Sequence, residues 1–157
     1  MDPITNFFAS LFEWFGINPF YNKDLGDHLR GYDITCDPNF IGTHWYSLIG
    51  CAMIVLSVLC YVLQYHALDR FRYNRCKHWW IFAALLFTLN FIIGFTIPYN
   101  SIQSAEYCPQ LVLTNTNCLG FGISNAIWSF IIFLLLTSFK YPRYLANNCR
   151  YTTCWKP

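Results

Sequence analysis

The sequence predicts an all-α integral membrane protein. It reads as a bundle of three transmembrane helices with a short amphipathic N-terminal helix, alternatively a fourth span, and is expected to be oligomeric. Three observations predict this. Hydrophobic residues make up 55% of the 157 residues and charged residues only 11%, against about 25% charged in soluble domains. Three apolar stretches, 45–68, 79–98 and 119–139, contain no Asp, Glu, Lys or Arg. Each is roughly 20 residues or slightly more, enough to cross a hydrocarbon layer of about 30 Å as a helix. Charge is also segregated: eight of the ten Lys and Arg residues lie in 69–78 and 140–157, and seven of the eight Asp and Glu residues lie elsewhere.

Segment 1–17 comes first. Asp2 suits an N-cap and Pro3 a first helical residue, with Gly16 and Pro19 as stops. Ile4, Phe7, Phe8, Leu11, Phe12 and Phe15 are expected on one helical face, with Asn6, Ala9, Ser10 and Glu13 on the other. About 13 residues make roughly 20 Å, short for a span. The helix is expected to lie in the membrane interface or to dock, with a short fourth span as the alternative. The acidic start, Met1-Asp2-Pro3, carries no signal-peptide pattern, so the N-terminus is expected to be retained.

Segment 18–44 holds Asp24, Asp27, Asp33 and Asp37 against Lys23 and Arg30. The 45–68 span follows, with Trp45 and Tyr46 as interfacial residues. The loop 69–78 is basic. The 79–98 span opens on Trp79 and Trp80 and is expected to stop at Pro98. The loop 99–118 has no Lys or Arg. The 119–139 span precedes a basic tail, 140–157. Basic loops face the cytoplasm, so 69–78 and the C-terminus are expected there, in a multi-pass cell-membrane protein with 18–44 and 99–118 outside.

Within the spans, Asn90 on the second and Gly122, Asn125 and Ser129 on the third fall on polar or small stripes, with Ser47, Gly50, Ile54, Ser57, Tyr61 and Gln64 on the first. Small residues allow close helix approach and amides bond across helices. The same residues suit a water-accessible path. Pore lining and helix packing are therefore both open. The three spans contain no carboxylate, which argues against proton-coupled transport.

Cys36, Cys108 and Cys118 fall on the outer side, where a disulfide is allowed. Cys108–Cys118 is the first expectation, closing one loop, and Cys36 with either of them is the alternative. The sequence contains no Cys-x-x-Cys, and Cys76, His78, Cys149 and Cys154 do not match a zinc spacing. No metal or cofactor is expected. His28 and His44 are read as solvated loop histidines. No nucleophile–base–orienter set is evident, so an enzyme is not expected.

The basic segments alternate cations with aromatic rings. Arg70, Arg72, Arg75, Lys77, Lys140, Arg143, Arg150 and Lys156 are candidates for holding an anionic ligand, since cations pair with phosphates while bases stack on rings. Positive-inside charge with an aromatic belt produces much of the same pattern. Together these features predict a homo-oligomeric channel or membrane-disrupting effector, gated from its cytoplasmic face by a nucleotide, an oligonucleotide or a partner. The alternative is a non-conducting scaffold or accessory subunit that docks another protein. The arrangement of spans and the segments around 70–80 and 140–156 resembles the small multi-span effectors of bacterial antiphage defence systems. That resemblance implies a membrane-permeabilising output and a nucleotide-handling partner protein, beside membrane lipids and further copies of the chain.

Overall fold

The computed structural model describes residues 3–14, 18–64 and 76–138, excepting the side chains at 76 and 77. The described residues form five helices and no strand: α1 (Pro3–Glu13), α2 (Lys23–Arg30), α3 (Trp45–Val62), α4 (Cys76–Gln103) and α5 (Asn115–Ser138). Segments Trp45–Val62, His78–Gln103 and Asn115–Ser138 are each long and apolar enough to cross a membrane. A helix satisfies its own backbone in lipid, so each can do so alone.

Two boundaries differ from expectation. Pro98 does not stop α4; it lies inside the helix, which continues to Gln103. Proline removes one rung of the hydrogen-bond ladder, and membrane helices tolerate that where a neighbour holds the backbone. Here Pro98 is buried, on the face of α4 that also carries Gly94. The third long helix begins at Asn115, ahead of the expected 119.

The long helices run alternately up and down. α5 packs on both α3 and α4, and its contact with α4 is the most extensive in the chain. Two cores result. One joins Cys60, Tyr61, Trp79, Ala83, Leu86 and Phe133 at one end of the bundle. The other joins Phe8, Phe12, Leu25, Leu29, Tyr46, Ile49, Met53 and Phe121 at the opposite end. Trp79 and Tyr46 are therefore core residues, not the interfacial anchors the sequence suggests; both are buried. The Trp79 indole is accommodated because its Nε1 donates to Thr137 Oγ1 at 3.2 Å, which answers the polar atom that burial would otherwise strand. Trp80 keeps the exposed position.

The amphipathic α1 is rotated from the expected face. Thr5, Phe8, Ala9 and Phe12 are buried, while Ile4 and Phe7 are exposed. The reason lies in α3. Phe8 lies against Gly50, and Thr5 Oγ1 shares a 2.7 Å hydrogen bond with Ser47 Oγ. A close crossing suits a face with Thr and Ala better than one with Ile and a second Phe. At 11 residues, α1 is about 16 Å long, and it is not among the helices long enough to span.

The segments around α1 and α2 close over this end of the bundle. Asn18 Nδ2 caps α1 by donating to Phe12 O at 2.7 Å and to Ser124 Oγ of α5 at 3.1 Å. Asn22 caps the start of α2, its Oδ1 accepting from Leu25 N. Gly31 ends the helix at φ 113°, a left-handed conformation suited to glycine. Asp24 Oδ2 accepts from Val112 N at 3.1 Å, fastening α2 to the α4–α5 connection.

Candidate functional site

The stripe residues of α4 and α5 meet at one seam. Asn90, Asn125 and Ser129 are fully buried. Asn125 Nδ2 donates across the helices to Asn90 O at 2.7 Å. Asn90 Nδ2 donates to Leu86 O at 3.1 Å, and Ser129 Oγ donates to Ala126 O at 2.8 Å. Gly122 and Gly94 bring the backbones together: a Cβ on Gly94 would lie 3.1 Å from Gly122 Cα and 3.0 Å from Asn125 Cβ. The amide oxygens of Asn90 and Asn125 are buried without a hydrogen-bond partner among the described residues. Within one chain these side chains join two helices.

A second polar cluster sits at the capped end, and the sequence reading missed it. Arg30, at the last turn of α2, forms an ion pair with Glu13 at the end of α1. Arg30 Nη1 also reaches Asp27 Oδ1 at 3.2 Å. Tyr46 Oη, from the first turn of α3, donates to Glu13 Oε1 at 3.2 Å. The guanidinium carbon lies 5.9 Å from the centre of the Tyr46 ring, within cation–π range. His44 Nδ1 donates to Arg30 O at 2.6 Å. Burial alone would lower the Arg30 pKa, but the Glu13 carboxylate together with the neighbouring Tyr21 and Tyr46 hydroxyls outweighs it, and the net shift is upward. Burial raises the Tyr21 pKa, with a hydrogen bond to Arg30 opposing it. The cluster thus ties three helices through one carboxylate and one guanidinium. Nothing in the periodicity marks it, because Glu13 and Arg30 meet only after the chain turns between α1 and α2.

A cleft of about 260 Å³ opens beside this cluster, with His28, Tyr32, Asp33, Trp45, Ser101 and Glu106 among its walls. The disulfide differs from the first expectation and follows the alternative: Cys36 pairs with Cys108, their Cα atoms 5.1 Å apart, across 72 residues. Cys118 is a free, buried thiol in the first turn of α5. The folded cap brings the 33–37 loop against the turn after α4, whereas the start of α5 is enclosed in the bundle. His28 also departs from expectation. It is only 3% exposed, its Nδ1 donates to Tyr32 O at 3.4 Å, and burial holds its pKa below the ordinary imidazole value, against that hydrogen bond. Its Nε2 is buried without a hydrogen-bond partner among the described residues.

The expected anion-binding residues Arg70, Arg72, Arg75, Lys140, Arg143, Arg150 and Lys156 lie outside the described residues, and Lys77 is placed only as part of the α4 backbone. Among the described residues no group of His, Cys, Asp and Glu is arranged to hold a metal ion. Comparison with protein-family models, with curated proteins and with solved structures finds no match to this chain.

Proposed function

We propose that this chain is a non-conducting integral membrane subunit that presents a folded, disulfide-fastened cap for docking another protein on the outer side of the membrane. The observation that carries the reading is the direction of the polar side chains. Ser57, Asn90, Ser124, Asn125, Ser129 and Thr137 are all buried within the single chain. The outward positions Val55, Val58, Leu59, Ile81, Leu85, Leu89 and Ile92 are apolar and suit lipid. A conduit shared among copies needs polar groups on the outer helix faces, and the stripe residues are engaged elsewhere. The basic segments 69–78 and 140–157 supply the orientation in this reading, holding that end in the cytoplasm. The cap then lies outside, where its disulfide is chemically stable.

Liposome flux tests it. Purified protein in sealed vesicles should pass no ion above the protein-free rate, with or without added nucleotide or oligonucleotide. Ligand-dependent flux, lost in Arg70→Ala/Arg72→Ala/Arg75→Ala, would instead establish the gated oligomeric channel.

A further inference from the structure

The exposed half of α1 carries a pattern of its own. Thr5, Phe8, Ala9 and Phe12 face the bundle, and the positions left outside divide again. Ile4 and Phe7 are 55% and 60% exposed, and with the half-buried Leu11 they form an apolar edge at i, i+3 and i+7. Asn6 and Ser10, both exposed, form a polar edge beside it at i and i+4. A helix whose free surface has two such edges suits the boundary between headgroups and acyl chains. Its level is fixed by α3. Thr5 bonds Ser47, and Pro3 and Ile4 form a groove with Ser47, Leu48 and Cys51. The 18 residues of α3 extend about 27 Å, no more than a hydrocarbon layer of about 30 Å. Crossing the layer uses the whole of that length. Cys51 lies about 9 Å along the helix from Trp45, so the groove opens to acyl chains. It also continues the lipid-facing surface of α3, where Val55 and Val58 are exposed.

The groove holds about 300 Å³. One turn of a partner helix, about 10 Å across and 5.4 Å long, takes up roughly 420 Å³, so a thin flexible chain fits better than a helix. None of the residues lining the groove is charged, so it offers no selection between headgroups.

We propose that this groove binds one acyl chain of a phospholipid in the leaflet on the cap side. Ile4, Leu48 and Cys51 lie against the chain, and Asn6 and Ser10 stand at the level of its ester and headgroup. The bound lipid fills the angle between α1 and α3 and seats the N-terminal helix in the membrane. This proposal rests on α3 crossing the bilayer and stands apart from conduction and from docking on the cap.

The test uses the full chain in phosphatidylcholine nanodiscs doped with phosphatidylcholine that carries a diazirine on the upper part of one acyl chain. Leu119 is the internal control: it is 46% exposed against 54% for Leu48, and it lies in the second turn of α5 as Leu48 lies near the start of α3. After irradiation, peptide mass spectrometry should find adducts on Leu48 at least about threefold more often than on Leu119. Ile4→Trp and Leu48→Trp each fill the groove from an exposed position. Each should lower adducts on Cys51 by about threefold without changing the melting temperature, and either serves if the other fails to fold. Phosphatidylglycerol carrying the same diazirine should label to the same extent. Equal labelling of Leu48 and Leu119 would reduce the groove to ordinary lipid contact and overturn the proposal. So would unchanged Cys51 labelling in the folded tryptophan variants, or a preference for phosphatidylglycerol above about tenfold. A Cys51–Cys51 crosslink between chains would give the groove to a second copy and overturn it too. Absence of adducts on both leucines would overturn the proposal together with the crossing of α3 on which it rests.

Discussion

The Phe8 ring occupies the space that a side chain at Gly50 would need: a Cβ there would lie 2.2 Å from Phe8 Cδ1. The contact lets α1 cross α3 closely enough for Thr5 to reach Ser47, and it puts Phe12 over Tyr46 and Phe121, with ring centres 5.8 and 5.1 Å away. Gly50→Ala should therefore undock α1. Overpacking of this kind costs about 1–3 kcal/mol, occasionally more. Limited proteolysis should cut the N-terminal segment faster in Gly50→Ala. Combining it with Phe8→Ala should restore part of the protection. If the double variant behaves as the sum of the singles, the two residues are not coupled as described.

The ion pair between Arg30 and Glu13 is only partly shielded, with side chains 19% and 14% exposed. Its value rests on Glu13 also accepting from Tyr46. Glu13→Gln and Tyr46→Phe should each destabilise the cap by about 1–3 kcal/mol. The effects should be less than additive, because the two groups share one hydrogen bond. Thermal unfolding in detergent measures both, and strict additivity would show that the groups act separately.

At the α4–α5 seam, Gly122→Ala places a Cβ 3.1 Å from Phe91 O and 3.2 Å from Phe95 Cβ. Backbone cannot give way as a flexible side chain can, so this change should lower the melting temperature more than Asn125→Leu. The latter loses one interhelical hydrogen bond, worth about 0.6 kcal/mol on average between membrane helices. The reverse ranking would place the seam's stability in the amide, not in close backbone approach.

His28 gives the cap an acid-sensitive element. Its folded pKa is lowered by burial, so the unfolded chain binds a proton more readily. Between the unfolded value of about 6.5 and the lower folded value, the unfolded state carries more protons, and stability falls as pH falls. Above about 6.5 this contribution is fully present. Melting temperatures from pH 8 to pH 5 should decline on the acid side, and the decline should be shallower in His28→Asn. Identical slopes would assign the acid sensitivity to other groups.

Reducing Cys36–Cys108 should loosen the cap but leave the bundle assembled. Chain entropy alone gives about 4 kcal/mol for a loop of this length. Membrane helices that remain paired already hold its ends close, so the loss should be smaller. Hydrogen exchange should rise in 31–44 and 104–114 and stay low in the described part of α5. Equal rises throughout would show that the bridge supports the whole bundle.

The three apolar helices were legible in the sequence because bilayer-length hydrophobic runs are a local property: every residue from Trp45 to Val62 reports it independently of where the others go. The stripes holding Asn90 on the second span and Gly122, Asn125 and Ser129 on the third were legible for the same reason, as helical spacing places such residues on one face of each helix. Which surface that face meets is a long-range fact, and only folding showed that α4 and α5 present their stripes to each other. The buried face of α1, the Arg30–Glu13 pair and the choice of Cys36 over Cys118 also depend on residues far apart in the chain. Periodicity carries no information about such partners. Sequence alone thus determined which segments suit lipid, and tertiary structure decided which side chains meet, because packing and electrostatics act across space and not along the chain.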